Sequence, residues 1–209
     1  MRQLFDPLFR LMLIATAAVA VAACSSGGST SNANQSAPAA ANTGSQDTDS
    51  TYDEETVLTA AEGFFGDSAE GIARALEKVF ADQGRPNGYI IGEEAGGGFI
   101  GALRYGSGTL HHKIEGTREV HWTGPSIGFE IGGNAAKVFT LVYNLYDTED
   151  IFRRYPAVEG QFYFVAGLGV NYHQRDDVIL APIRTGVGVR ATANVGYLKY
   201  TPDRKFNPF

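Results

Sequence analysis

The stretch QFYFVAGLGVNY, residues 161–172, decides the fold class. Aromatic and aliphatic side chains load both faces of Gln161 to Ala166, and Gly167 and Gly169 follow inside the same apolar run. No helical period accommodates that pattern, whereas a strand with both faces covered does. Runs of the same kind recur on either side, at 88–94, 97–106, 109–114, 118–123, 126–131, 137–144, 183–191 and 195–201, with turn residues at short intervals. Glycines sit inside them at 128, 132, 133, 186 and 188. In a flat sheet each glycine weakens a strand, but in a small closed barrel it permits bending and close backbone approach. Consecutive antiparallel strands without intervening helices therefore predict a mainly β fold: a small, soluble, closed antiparallel β-barrel of about eight strands.

One helix precedes the strands. Ile72, Ala75, Leu76, Val79 and Phe80 share a face, and Gly84 and Pro86 stop the run. Asp67 with Glu70 three residues on reads as a capping box, which predicts a helix over 67–83 that caps the barrel. A short helical turn is expected between Asp147 and Pro156. A membrane-spanning barrel is not expected. Stepping back by twos from Phe209 gives Asn207, Lys205, Asp203 and Thr201, a polar face interrupted by Pro202 and Pro208.

The first 23 residues read as an export leader, with Arg2 and Arg10 ahead of an apolar run from Leu11 to Ala23. That run makes a helix of roughly 20 Å, too short for a ~30 Å hydrocarbon core. Val21-Ala22-Ala23-Cys24 resembles a lipobox, which implies cleavage before Cys24 and acylation of that residue. A conventional cut after Ala20-Val21-Ala22 is the other reading. Ser25 is not acidic, so an acylated chain is expected at the outer membrane, facing the periplasm. Cys24 is the sole cysteine, which excludes a disulfide framework and a cysteine-based zinc site downstream. Residues 24–59 are assigned to the lipidated cysteine and a tether, with the acidic stretch Thr51 to Thr59 read as an ordered edge or as more linker. Ser25 to Ser50 contains no aromatic residue and no Lys or Arg, and cannot bury enough apolar surface to offset its chain entropy. Residues 60–209 form one domain by length.

The formal charge of −6 becomes −7 once two arginines and one aspartate leave with the leader. Nucleic acid is an unsuitable partner for such a chain, because phosphate binding needs a basic stripe. The densest basic pair, Arg153-Arg154, is bracketed by Asp147, Glu149, Asp150 and Glu159.

Catalytic patterns lack their structural partners. Gly124-Pro125-Ser126-Ile127-Gly128 matches G-x-S-x-G, with Asp150 and His173 following in hydrolase order. A nucleophile elbow needs a strand, a strained turn and a helix, and here strand-like sequence continues. Gly96 to Gly101 matches G-x-G-x-x-G without a helix to aim amides at a pyrophosphate. Glu93 and Glu94 are adjacent and point to opposite faces of a strand, so they form no acid/base pair. A loop at Glu115-Gly116-Thr117 sets His111 opposite His121, and Lys113 opposite Glu119. Two imidazoles fall short of the three or four ligands a zinc site needs. No catalytic residue, metal or cofactor is assigned; an enzyme acting on envelope material through Ser126 is the alternative to a binding protein.

Several longer motifs carry a resemblance. Phe65-Gly66-Asp67, Gly84 to Asn87 (GRPN), Gly92 to Gly97 (GEEAGG), Arg104 to Leu110 (RYGSGTL) and Gly124 to Gly128 (GPSIG) resemble the envelope integrity protein A family. So do Leu180 to Gly188 (LAPIRTGVG) and the ending Asn207-Pro208-Phe209. The resemblance covers about residues 62–209 and implies a soluble eight-stranded periplasmic barrel in envelope stress resistance, without catalytic residues to carry over. Gly97-Gly98-Phe99, Tyr105 to Gly108 and Trp122 to Pro125 also resemble part of the SYLF lipid-binding domains, which implies a lipid ligand. Trp122, Tyr105, Arg104, His111 and His121 are the candidate binding residues, for a lipid, glycan or envelope-protein ligand. Trp122, Phe129, Phe139, Phe162 and Phe164 are expected in the core or against the helix.

Overall fold

A computed structural model of the chain describes residues 49–66, 71–97, 102–126, 135–185 and 196–205, all within the compact unit Thr43–Phe209. Eight strands close a barrel: β1 (Gly88–Gly97), β2 (Ala102–His112), β3 (Gly116–Ser126), β4 (Ala136–Tyr143), β5 (Arg154–Val165), β6 (Leu168–Arg175), β7 (Val178–Arg184) and β8 (Tyr197–Thr201). All pairs are antiparallel, and the order around the barrel is β1-β2-β3-β8-β5-β6-β7-β4. The expected closed antiparallel barrel is thus observed. Its connections are not all between neighbours: β4 returns beside β1, and β8 inserts between β3 and β5.

The run 161–172 is two strands. Ala166 and Gly167 have φ of +47° and +86°, so a two-residue turn reverses the chain inside it. By contrast the expected strands 97–106 and 109–114 lie largely within one continuous strand, β2.

Alternation separates two cores. Ile90, Leu110, Val120, Trp122, Val138, Val142, Tyr155, Leu180, Leu198 and Tyr200 point inward and are fully buried. Phe139, Leu141, Tyr143, Leu168, Val170, Tyr172, Ala181 and Ile183 point outward and meet two helices, α1 (Glu54–Phe65) and α2 (Ile72–Gln83). Val57, Ala61, Phe65, Ile72, Ala75, Leu76 and Val79 are the helical side of that contact.

These helices correct three sequence expectations. The ordered domain begins before residue 60, because residues 54–59 of the assigned tether are helical. Asp53 accepts from Thr56 N at 2.8 Å and caps α1, while Glu54 and Glu55 favour its positive N-terminal end. Helix α2 starts at Ile72, where Gly71 at φ +99° interrupts helical backbone; Asp67 and Glu70 lie outside the described residues. Finally, the helices lie along the barrel wall and do not cap an end, because the apolar surface needing cover is the outward face of β4, β6 and β7.

Candidate functional site

The inward row of β1 runs Ile90, Gly92, Glu94: a carboxylate continues an apolar face. Around it, three other strands contribute one inward residue each. Arg184 on β7 donates through Nε to Glu94 Oε1 at 3.2 Å, and Arg104 on β2 places Nη1 3.6 Å from the same oxygen. Trp122 on β3 donates through Nε1 to Glu94 Oε2 at 2.8 Å. All four side chains are buried. Burial pushes the Glu94 carboxyl upward, but the Arg184 and Arg104 guanidiniums and the Trp122 donor outweigh it and hold it below the ordinary range.

Trp122 fits because β2 has no side chain beneath it. A Cβ on Gly106 would lie 2.0 Å from the indole, so only glycine admits the ring. Tyr200 lies 5.7 Å from Trp122, centroid to centroid, and shares a side-chain hydrogen bond with Thr140. Tyr155 meets Tyr200 edge to face at 5.9 Å.

His173 on β6 completes the polar interior. Its Nδ1 lies 3.2 Å from the Tyr155 carbonyl oxygen and its Nε2 3.4 Å from Asn171 Nδ2. The tautomer carrying its proton on Nδ1 satisfies both contacts. Burial, reinforced by the Arg184 charge, lowers its pKa to about 3. At neutral pH the ring is therefore uncharged.

The structure unites two of the candidate binding residues, Arg104 and Trp122, and separates the rest. Tyr105, next along the strand from Arg104, takes the opposite face and pairs with Thr123. His111 is half-buried and stacks on Tyr89 at 4.8 Å. It pairs with Thr117, and His121 pairs with Ser107, so the expected facing imidazoles are not formed. The hairpin turns two residues earlier than expected, at Lys113–Glu115, because Gly116 at φ +83° supplies the left-handed position that closes it. Lys113 likewise falls in the turn, and Glu119 pairs with Thr109. Among the described residues no three His, Cys, Asp or Glu side chains gather to hold a metal.

The hydrolase order is not assembled either. Asp150 engages Arg153, and His173 is turned to Tyr155 and Asn171. Ser126 ends β3 in register with Ala102. Glu93 is exposed where Glu94 is buried, as their adjacency on a strand requires. Cys24 and Phe129 lie outside the described residues. Sequence reasoning missed Glu94, Arg184 and Asn171 as site members, although the alternation Ile90-x-Gly92-x-Glu94 carried a signal for the first.

The family model for envelope integrity protein A matches residues 50–209. The chain belongs to that family. A crystal structure of a beta-barrel-like, uncharacterized protein from Brucella abortus is similar, with 47% identity, coverage of 77% of this chain and 99% of that chain, and a TM-score of 0.70. No curated protein matches. Membership in the envelope integrity protein A family places the chain in the cell envelope, with a role in envelope integrity. The match begins at residue 50, beside the start of α1 at Glu54, so the family unit includes the first helix.

Proposed function

We propose that the chain is a noncatalytic envelope lipoprotein, held at the outer membrane by acylated Cys24, whose barrel binds or supports a lipid, glycan or protein component of the envelope. The observation that carries this reading is the chemical state of the inward cluster. A carboxylate held ionised by two guanidiniums and an indole is a poor proton acceptor, and an imidazole with a pKa of about 3 transfers no proton near neutrality. Recognition needs neither group to titrate. The arrangement supports a rigid barrel whose ends and outer wall present fixed groups to a partner.

Complementation of a deletion strain tests the proposal, with detergent resistance as the readout and abundance checked for each variant. Ser126→Ala, His111→Ala and His121→Ala are expected to restore resistance fully. A folded, abundant Ser126→Ala that fails to do so reopens the hydrolase. Radiolabelled palmitate tests the anchor: label should enter the wild type and be lost in Cys24→Ala.

A further inference from the structure

Two of the three most exposed large hydrophobic side chains among the described residues, Ile114 at 66% and Tyr146 at 81%, occupy one end of the barrel. Ile114 tips the β2–β3 turn, and Tyr146 lies in the segment after β4. The two segments are tied together: His112 Nε2 meets the Leu145 carbonyl at 2.7 Å, and Glu115 Oε2 accepts from Thr148 N at 2.8 Å. Bonds on both flanks hold the two exposed tips on linked segments at the same end. Phe164, the third such residue, lies at the opposite end, close to the β5–β6 turn.

The chain enters the domain at this same end. Tyr52 N donates to the Pro86 carbonyl at 2.8 Å, and Arg85 Nε donates to Thr51 Oγ1 at 3.0 Å. Asn87, next to Pro86, accepts from Lys113 N at 3.0 Å and donates through Nδ2 to the Leu145 carbonyl at 2.6 Å. Lys113 Nζ lies 4.8 Å from the centre of the Tyr52 ring. Thr51 and Tyr52, which precede α1, therefore lie beside the neighbours of Ile114 and Tyr146.

We propose that this end of the barrel is a lipid-contacting surface, with Ile114 and Tyr146 entering the headgroup region of the bilayer to which Cys24 is attached. The inference rests on the anchored reading above for its supply of membrane. A tether of 26 residues spans about 25–30 Å as a coil, which holds the surface at about millimolar concentration relative to the bilayer. Weak contact then suffices for occupancy. Tyrosine suits the interface, with an apolar ring and a wet hydroxyl. Charge is not the recognition element. Arg118 is paired with Glu149, and Glu115, Asp147 and Glu149 outnumber Lys113 and Arg118 around the two tips. With its acid end turned to the membrane, the opposite end, nearer Glu94, faces away from it.

The test uses the mature chain from Cys24, coupled through its single thiol to a maleimide-bearing lipid in phosphatidylethanolamine/phosphatidylcholine vesicles. Tryptophan is introduced as Ile114→Trp, Tyr146→Trp or Phe164→Trp, with buried Trp122 as constant background. Brominated lipids should reduce the added fluorescence about twofold for the first two, as expected for rings lying at the headgroup boundary, and leave Phe164→Trp unchanged. Phosphatidylglycerol should not deepen the quenching. Unquenched Ile114→Trp and Tyr146→Trp on coupled vesicles, or quenching of Phe164→Trp alone, overturn the surface. A rise with phosphatidylglycerol overturns its apolar character. Quenching together with no palmitate incorporation in cells overturns the anchor and leaves the surface standing.

Discussion

Acidification should destabilise this protein before its carboxylates titrate, because of His173. The imidazole is buried among the barrel's inward residues, with Arg184 as a neighbouring charge, and its pKa falls from about 6.5 to about 3. Between those values the unfolded chain binds a proton that the native chain refuses, so each step down in pH favours unfolding. The slope approaches about 1.4 kcal/mol per pH unit once the pH is below 6.5. At pH 5.0 the native state is then about 2 kcal/mol less stable than at pH 7, a Tm drop of about 4–8 °C for a domain of this size. Urea unfolding followed by Trp122 fluorescence and circular dichroism at pH 7, 6 and 5 measures this directly. His173→Asn keeps a donor for the Tyr155 carbonyl and removes the titration, so its absolute stability is lower but its pH slope is reduced. His111, lowered by partial burial, contributes in the same direction and persists in the variant. A wild-type stability that is flat from pH 7 to 5, or an undiminished slope in His173→Asn, refutes the reasoning.

Glu94→Gln leaves two buried guanidiniums without their shared carboxylate, for which a loss of about 3–5 kcal/mol is expected; thermal melting should shift by about 6–20 °C, and a melt like the wild type's would show that the cluster is not coupled. The same variant should lose the part of the acid sensitivity seen below about pH 4.3, since a depressed carboxyl pKa stabilises the fold above the unfolded value and that stability fades as pH falls through the native one. Gly106→Ala drives a methyl into the Trp122 ring and should cost about 1–3 kcal/mol with a changed Trp emission maximum. Phe139→Ala, at the contact between wall and helices, should cost about 3–5 kcal/mol in denaturant titrations, whereas Phe164→Ala, 44% exposed, should stay within about 0.5 kcal/mol.

The core expectations divide on the same physical line. Trp122 and Phe139 are buried, one inside the barrel and one under the helices. An irregularity of β5 between Ala157 and Phe162 sets Phe162 and Phe164 in register with Asn171 and Gly169 on the inward row. Yet Phe162 is only partly buried and Phe164 exposed, because they lie at the turn end of the strand, beyond the Arg154–Pro156 stretch that pairs with β8. Alternation is legible residue by residue, but an interruption of it is a property of two strands together. The site was legible to the same degree. Arg104 and Trp122 lie in motifs that drew notice, and the opposition of Glu93 and Glu94 follows from strand geometry alone. Their union with Arg184, ninety residues beyond Glu94, is visible in no local pattern.

Period-two loading, interior glycines and turn residues at short intervals are local steric facts, and they were enough to determine a small antiparallel barrel and the helix over Ile72 to Phe80. Family membership was equally local, carried by contiguous motifs. Only the tertiary structure decided that β4 closes against β1 and that β8 enters between β3 and β5, since these pairings depend on which edges remain unpaired after the hairpins form. It also decided the hairpin register: Gly116, and not its neighbours, takes the left-handed position, and this parts His111 from His121. Closure then brings four inward side chains from four strands into one buried ion-pair cluster, because a barrel converts separate alternations into a common interior.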